Sequence, residues 1–154
     1  MRRSWCMEYE ELGWDELSER ERLTLRAAVE TAKQAYAPYS NFPVGAAAYL
    51  RKGDIWIGNN QENAAYPSGL CAERTLLFSL GAHNLVTEIE IVAVYASASL
   101  LPIMPCGACR QVMYEYQQRS ENPWTLIFAG AADFVYRMKG VESLLPLAFV
   151  WRRS

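Results

Sequence analysis

The sequence predicts a three-layer α/β/α domain with a mixed sheet of about five strands. Apolar positions switch back and forth between helical and strand spacing along the chain, which interleaves helices with strands. The last two strand-like runs, Trp124 to Phe128 and Phe134 to Met138, are separated only by Ala129 to Asp133. A parallel pair needs a crossover of roughly a dozen residues or more, so this pair is expected to be antiparallel. The chain has 154 residues, enough for one domain to bury roughly two-thirds of its unfolded surface.

Residues 1 to 17 form an acidic lead containing Trp5 and Trp14 with no clear period. They are set apart as an N-terminal extension from a domain covering 18–154. Ser18-Glu19-Arg20-Glu21 reads as a capping box, in which a Ser hydroxyl and a Glu carboxylate satisfy each other's backbone donors. Behind it Leu25, Ala28, Val29, Ala32, Ala35 and Tyr36 recur at helical spacing, and Pro38 marks the expected end. Gly45 to Leu50, a charged turn over Arg51 to Asp54, and Ile55 to Ile57 read as a hairpin. A loop from Gly58 to Leu70 delivers Cys71 to a second helix ending near Gly81, a residue suited to a helix C-terminus. Glu88 to Ala96, with Ile89, Ile91, Val92, Val94 and Tyr95, has the composition of a buried strand. A Pro-containing loop delivers Cys106 and Cys109 to a third helix reaching about Gln118. A short helix from Val141 to Leu145, stopped by Pro146, follows the final strands.

Composition narrows the function. With 51% hydrophobic, 12% aromatic and 21% charged residues the chain is globular, and no apolar run approaches the ~20 residues that span a bilayer. Fifteen Lys and Arg against seventeen Asp and Glu give a net charge of −2, no footprint for a long polyanion. A small-molecule partner is therefore favoured over a nucleic acid polymer or a membrane. Ser4 to Glu11 contains three Glu and no apolar stretch of signal-peptide type, so a cytoplasmic location is expected. In that reducing compartment the four cysteines are thiols or metal ligands.

Two segments carry chemistry: Cys71-Ala72-Glu73-Arg74 and Pro105-Cys106-Gly107-Ala108-Cys109, both where a loop enters a helix. Cysteines at i and i+3 of a first helical turn share a face, so both sulfurs can bind one ion, with Cys71 as third ligand. Three protein ligands on zinc leave a fourth position for water, the arrangement of a catalytic site. Helix N-termini favour thiolates. Even so, three thiolates on one divalent cation leave a net negative cluster, and Arg74 is placed to donate hydrogen bonds to the sulfurs. In a regular helix the offset from Cys71 to Glu73 turns the two side chains about 200° apart. Cys71 is therefore expected at the cap, where Glu73 can approach the open position as a proton carrier and not as a ligand.

A Cys-x-x-Cys pair at a helix start, with a carboxylate two residues after a third ligand, is similar to the general signature of zinc nucleobase deaminases. The chain resembles the small, homotetrameric cytidine deaminases. The matching segments are Tyr39 to Ala47 (Tyr-Ser-Asn-Phe-Pro-Val-Gly-Ala-Ala), Asn60 to Pro67, Cys71 to Thr75, Pro105 to Val112 and Leu144-Leu145-Pro146. The resemblance implies a cytidine deaminase-like fold and one zinc ion per subunit held by Cys71, Cys106 and Cys109. It implies that Glu73 is the proton shuttle, that Asn60 and Glu62 bind ribose hydroxyls, and that Phe42 packs on the pyrimidine. Backbone groups of Ala72 would hold the base edge, and Phe149 would reach a neighbouring subunit's site. The implied reaction is hydrolytic deamination of cytidine or 2′-deoxycytidine in pyrimidine salvage.

Plainer readings stand beside these. A thioredoxin-like redox pair would account for Cys-x-x-Cys but leaves Cys71 and Glu73 idle. Cys6 reads as a bystander thiol and His83 as a turn residue. By pattern alone Phe42 and Phe149 are core aromatics, Asn60 and Glu62 order their loop, and Arg74 is a solvated helix charge. Two other functions compete. One is deamination of another aminopyrimidine nucleoside such as blasticidin S; the other is a zinc-stabilised binding module, in which Glu73 would have no purpose.

Overall fold

The computed structural model describes residues 1–151, so the last three positions of the expected domain lie outside the described residues. The elements run β1 (Glu10–Gly13), α1 (Glu19–Ala32), β2 (Val44–Leu50), β3 (Ile55–Asn59), α2 (Ala72–Ala82), β4 (Ile89–Ala96), α3 (Gly107–Gln117), β5 (Thr125–Ala129) and β6 (Phe134–Lys139). The sheet order is β1-β6-β5-β4-β2-β3. β4 and β5 are parallel and every other neighbouring pair is antiparallel, including the short-linked β5 and β6. Among the described residues no helix is long and apolar enough to cross a membrane.

Alternation along the strands builds two cores. Ala47, Ile91, Ala93, Ile127, Ala129 and Val135 face α1 and pack with Leu25 and Ala28. Ala46, Ala48, Val92, Val94, Leu126 and Phe128 face the other way and pack with Leu76, Leu80 and Met113 of α2 and α3. The layers are thus α/β/α, with α2 and α3 side by side on one face.

Three expectations are corrected. The sheet has six strands rather than five, because Glu10 to Gly13, left unassigned in the lead, pair with Arg137 to Phe134. That pairing is non-local, and Arg137 secures it by donating from Nε to Glu10 at 2.7 Å and from Nη1 to Glu21 at 3.4 Å. Leu17 is also 2% exposed, so the lead contributes to the core. Helix α1 ends at Ala32, short of Pro38, because the Tyr36 peptide pairs instead with the loop after β3: Tyr36 N donates to Asn60 O at 3.0 Å and Glu62 N donates to Tyr36 O at 2.9 Å. The short helix expected over Val141 to Leu145 is a single 3₁₀ turn, Glu142–Leu144. The capping box at Ser18 forms as expected, with Ser18 N donating to Glu21 Oε2 at 2.8 Å.

Gly58 sets how deeply α2 sits on the sheet. A Cβ there would stand 2.5 Å from Leu76 N and 2.9 Å from Ala72 O, both backbone atoms of the helix that carries Glu73. Gly58→Ala is expected to push α2 outward at a cost of about 1–3 kcal/mol, the usual penalty of overpacking. A thermal midpoint within about 1 °C of the wild type would contradict this.

Candidate metal centre and adjoining cavity

Cys71 is the N-cap of α2 (φ −70°, ψ 156°) and Cys106 the N-cap of α3 (φ −65°, ψ 165°). Extended backbone at a cap frees the side chain from the helix flank and turns it across the open end, where unpaired N–H groups face anionic ligands. Cys106 Sγ accepts from Cys109 N at 3.5 Å, the bond that an oxygen makes in an ordinary N-cap. Because α2 and α3 lie side by side, their N-termini bring three sulfurs together.

Cys71 Sγ lies 3.8 Å from Cys106 Sγ, and Cys106 Sγ lies 3.4 Å from Cys109 Sγ. All three sulfurs fall within 4.8 Å of one another. Thiolates bound tetrahedrally at ~2.3 Å from one zinc sit about 3.8 Å apart, so the donor set fits zinc in both chemistry and spacing. Cys6 is exposed and outside this group.

The electrostatics divide the thiols. The Cys71 thiol is pulled down to about 5, first by the hydrogen bond from Cys109 and then by Arg74, against the cost of burial. Cys109 is pushed well above the ordinary thiol range by its bond to Cys71 and by burial. Metal binding by thiols requires their deprotonation, so occupancy of this donor set is linked to proton release. Arg74 reaches Cys71 Sγ with Nη2 at 3.7 Å, the contact foreseen from its position one turn along. Its Nε is buried with no hydrogen-bond partner among the described residues.

Glu73 is 4% exposed. Burial raises its carboxyl above the ordinary carboxylate value; the Cys71 thiolate adds to the shift, while its own backbone N–H and Cys109 oppose it. A carboxyl that readily holds a proton is suited to carrying one. Ala72 is wholly buried at the first position of the helix, where the N–H has no intrahelical partner.

Beside the sulfurs opens a cavity of about 460 Å³, lined by Cys71, Arg74, Asn60, Glu62, Tyr39, Ser40 and Tyr66 among others. Asn60 and Glu62 both line it, yet both are also busy within the chain. Asn60 clamps the segment before β2, accepting from Val44 N at 2.8 Å and donating to Phe42 O at 3.0 Å. Glu62 Oε2 accepts from Tyr39 N at 2.9 Å and Ser40 N at 3.2 Å, and Glu62 Oε1 accepts from Ser40 Oγ. Half-buried Phe42 and exposed Phe149 are not brought to the cavity lining. Phe149 is 71% exposed, and its carbonyl accepts from Gln111 Nε2 of α3 at 3.1 Å. Tyr39 and Tyr66, whose rings meet edge to face at 5.9 Å, and Ser40 were not singled out from sequence. Only their place inside the matching segments hinted at them.

A family model described as the cytidine and deoxycytidylate deaminase zinc-binding region matches residues 18–121. The chain belongs to this family. Among curated cytidine deaminases, that of Sporosarcina psychrophila is 48% identical over 117 residues, covering 76% of this chain and 82% of the relative. That of Halalkalibacterium halodurans is 37% identical over 128 residues, 83% of this chain and 92% of the relative. The crystal structure of cytidine deaminase from Burkholderia pseudomallei superimposes with a TM-score of 0.76 at 38% identity, covering 86% of this chain and all of that one. The cytidine deaminase fold that the resemblance implies is therefore the one present, with zinc as the metal of its matched region.

Proposed function

We propose that this chain catalyses the hydrolytic deamination of cytidine and 2′-deoxycytidine, taking up water and releasing ammonia to give uridine or 2′-deoxyuridine. The observation that carries the reading is a buried carboxyl, Glu73, two residues beyond a capping cysteine whose sulfur is spaced with two others for one zinc ion. Cys71, Cys106 and Cys109 hold the zinc. Bound there, it supplies Lewis acidity that lowers the proton affinity of a water toward neutral pH.

Glu73 takes a proton from the water that adds to C4 of the pyrimidine. It passes that proton to N3, then takes the second proton of the added water from the hydroxyl now on C4 and delivers it to the amino group, which leaves as ammonia. Arg74 offsets part of the charge of the three thiolates. The Ala72 backbone holds the base edge, Phe42 packs on the ring, and Asn60 and Glu62 bind the sugar hydroxyls. Asn60 Nδ2 keeps a second hydrogen for that purpose after serving Phe42 O. Phe149, exposed on its own subunit, completes a neighbour's site within a cytoplasmic homotetramer.

The test follows cytidine conversion by ultraviolet absorbance with metal-replete and chelator-treated protein. Metal-replete protein converts cytidine and 2′-deoxycytidine, and chelation stops it. No turnover of either nucleoside would defeat the proposal, and turnover confined to another aminopyrimidine nucleoside would replace the substrate while keeping the chemistry. A fully active monomer in light scattering would remove the shared site.

A further inference from the structure

We propose that Ser40 is a positioning residue for sugar recognition, holding the Glu62 carboxylate in the orientation that grips a ribose hydroxyl; this rests on the nucleoside reading above. Its hydroxyl has two partners. It donates to Glu62 Oε1 and accepts from Phe42 N at 3.0 Å, so one atom ties the cavity carboxylate to the adjoining segment. The turn between them passes through Asn41 at φ 53°, in the left-handed region, so the segment needs such restraints to keep its shape.

Glu62 has about four acceptor sites, and the Tyr39 N–H, Ser40 N–H and Ser40 hydroxyl fill three of them. What remains is about one acceptor position on a carboxylate that is held ionised and fixed in angle by donors on both oxygens. Exposed carboxylates are otherwise free to rotate, and ordering such a side chain at the moment of binding costs affinity. Ser40 removes that cost in advance. It lies outside the zinc ligands and acts through Glu62, so its loss weakens nucleoside binding and leaves the chemical step intact.

Calorimetry on zinc-loaded protein tests this with uridine and 2′,3′-dideoxyuridine, which share a base and differ in the sugar hydroxyls. Ser40→Ala is expected to weaken uridine about tenfold, in line with losing one hydrogen bond to a charged group, and 2′,3′-dideoxyuridine less than about twofold. Ser40→Thr, which keeps the hydroxyl, is expected to recover most of the uridine affinity. In turnover of cytidine, KM rises in Ser40→Ala while kcat stays within about twofold. Equal weakening of both ligands, or a fall in kcat at unchanged KM, would overturn the assignment. Wild-type protein that binds uridine beside an unaltered Ser40→Ala would remove the role of Ser40 alone. Wild-type protein that binds neither nucleoside would take down the nucleoside reading with it.

Discussion

Glu73→Gln is expected to lower cytidine turnover by roughly a thousandfold with zinc content unchanged, within the roughly 10²–10⁴ that a positioned proton carrier contributes. Gln has nearly the same shape, so the packing around a side chain only 4% exposed is preserved. It can neither take nor return a proton. The fold should not suffer either: burial already works against the charged form of Glu73, and an amide carries no charge to desolvate. Kinetics and metal analysis on the same preparation decide the matter. Loss of zinc along with activity would place Glu73 among the ligands; full turnover would show that the proton moves by another group.

Cys106→Ala is expected to lose both metal and stability. Its sulfur is one of three in the donor set and also the cap of α3, accepting from Cys109 N. Loss of a cap costs about 1 kcal/mol. Loss of an ion present at a thousand times its dissociation constant costs about 4 kcal/mol. Together these lower the thermal midpoint by about 10–20 °C for a domain of this size. Cys106→Ser separates the two, since its hydroxyl still caps the helix but makes a poor zinc ligand. Chelator should lower the wild-type midpoint and leave both variants where they are. Unchanged zinc content in Cys106→Ala would show that the metal is held elsewhere.

Much of this architecture is written locally. The Ser18 capping box, the hairpin of β2 and β3, the Cys106 and Cys109 pair at the start of α3 and the antiparallel β5 and β6 all depend on residues close in sequence. There, short-range hydrogen bonding and chain length leave few alternatives. Cys71 at a cap was legible for the same reason, since only that position lets it share a site with Glu73. The double use of Asn60 and Glu62 was not legible. Their partners at 39–44 lie about twenty residues away, and a side chain carries no mark of which distant backbone it will hold.

By itself the amino-acid sequence determined the helix starts, the strand alternation, the chemistry of the three thiols and one carboxyl, and the family those residues resemble. Only the tertiary structure decided that residues 10–13 close the sheet edge against β6 and that Tyr36 leaves helix α1 to pair with the loop after β3. It also decided that Ser40, Glu62 and Asn60 build one cavity wall. Those outcomes are long-range pairings of backbone donors and acceptors. Their partners are chosen by the packing of whole layers, which no local window of residues contains.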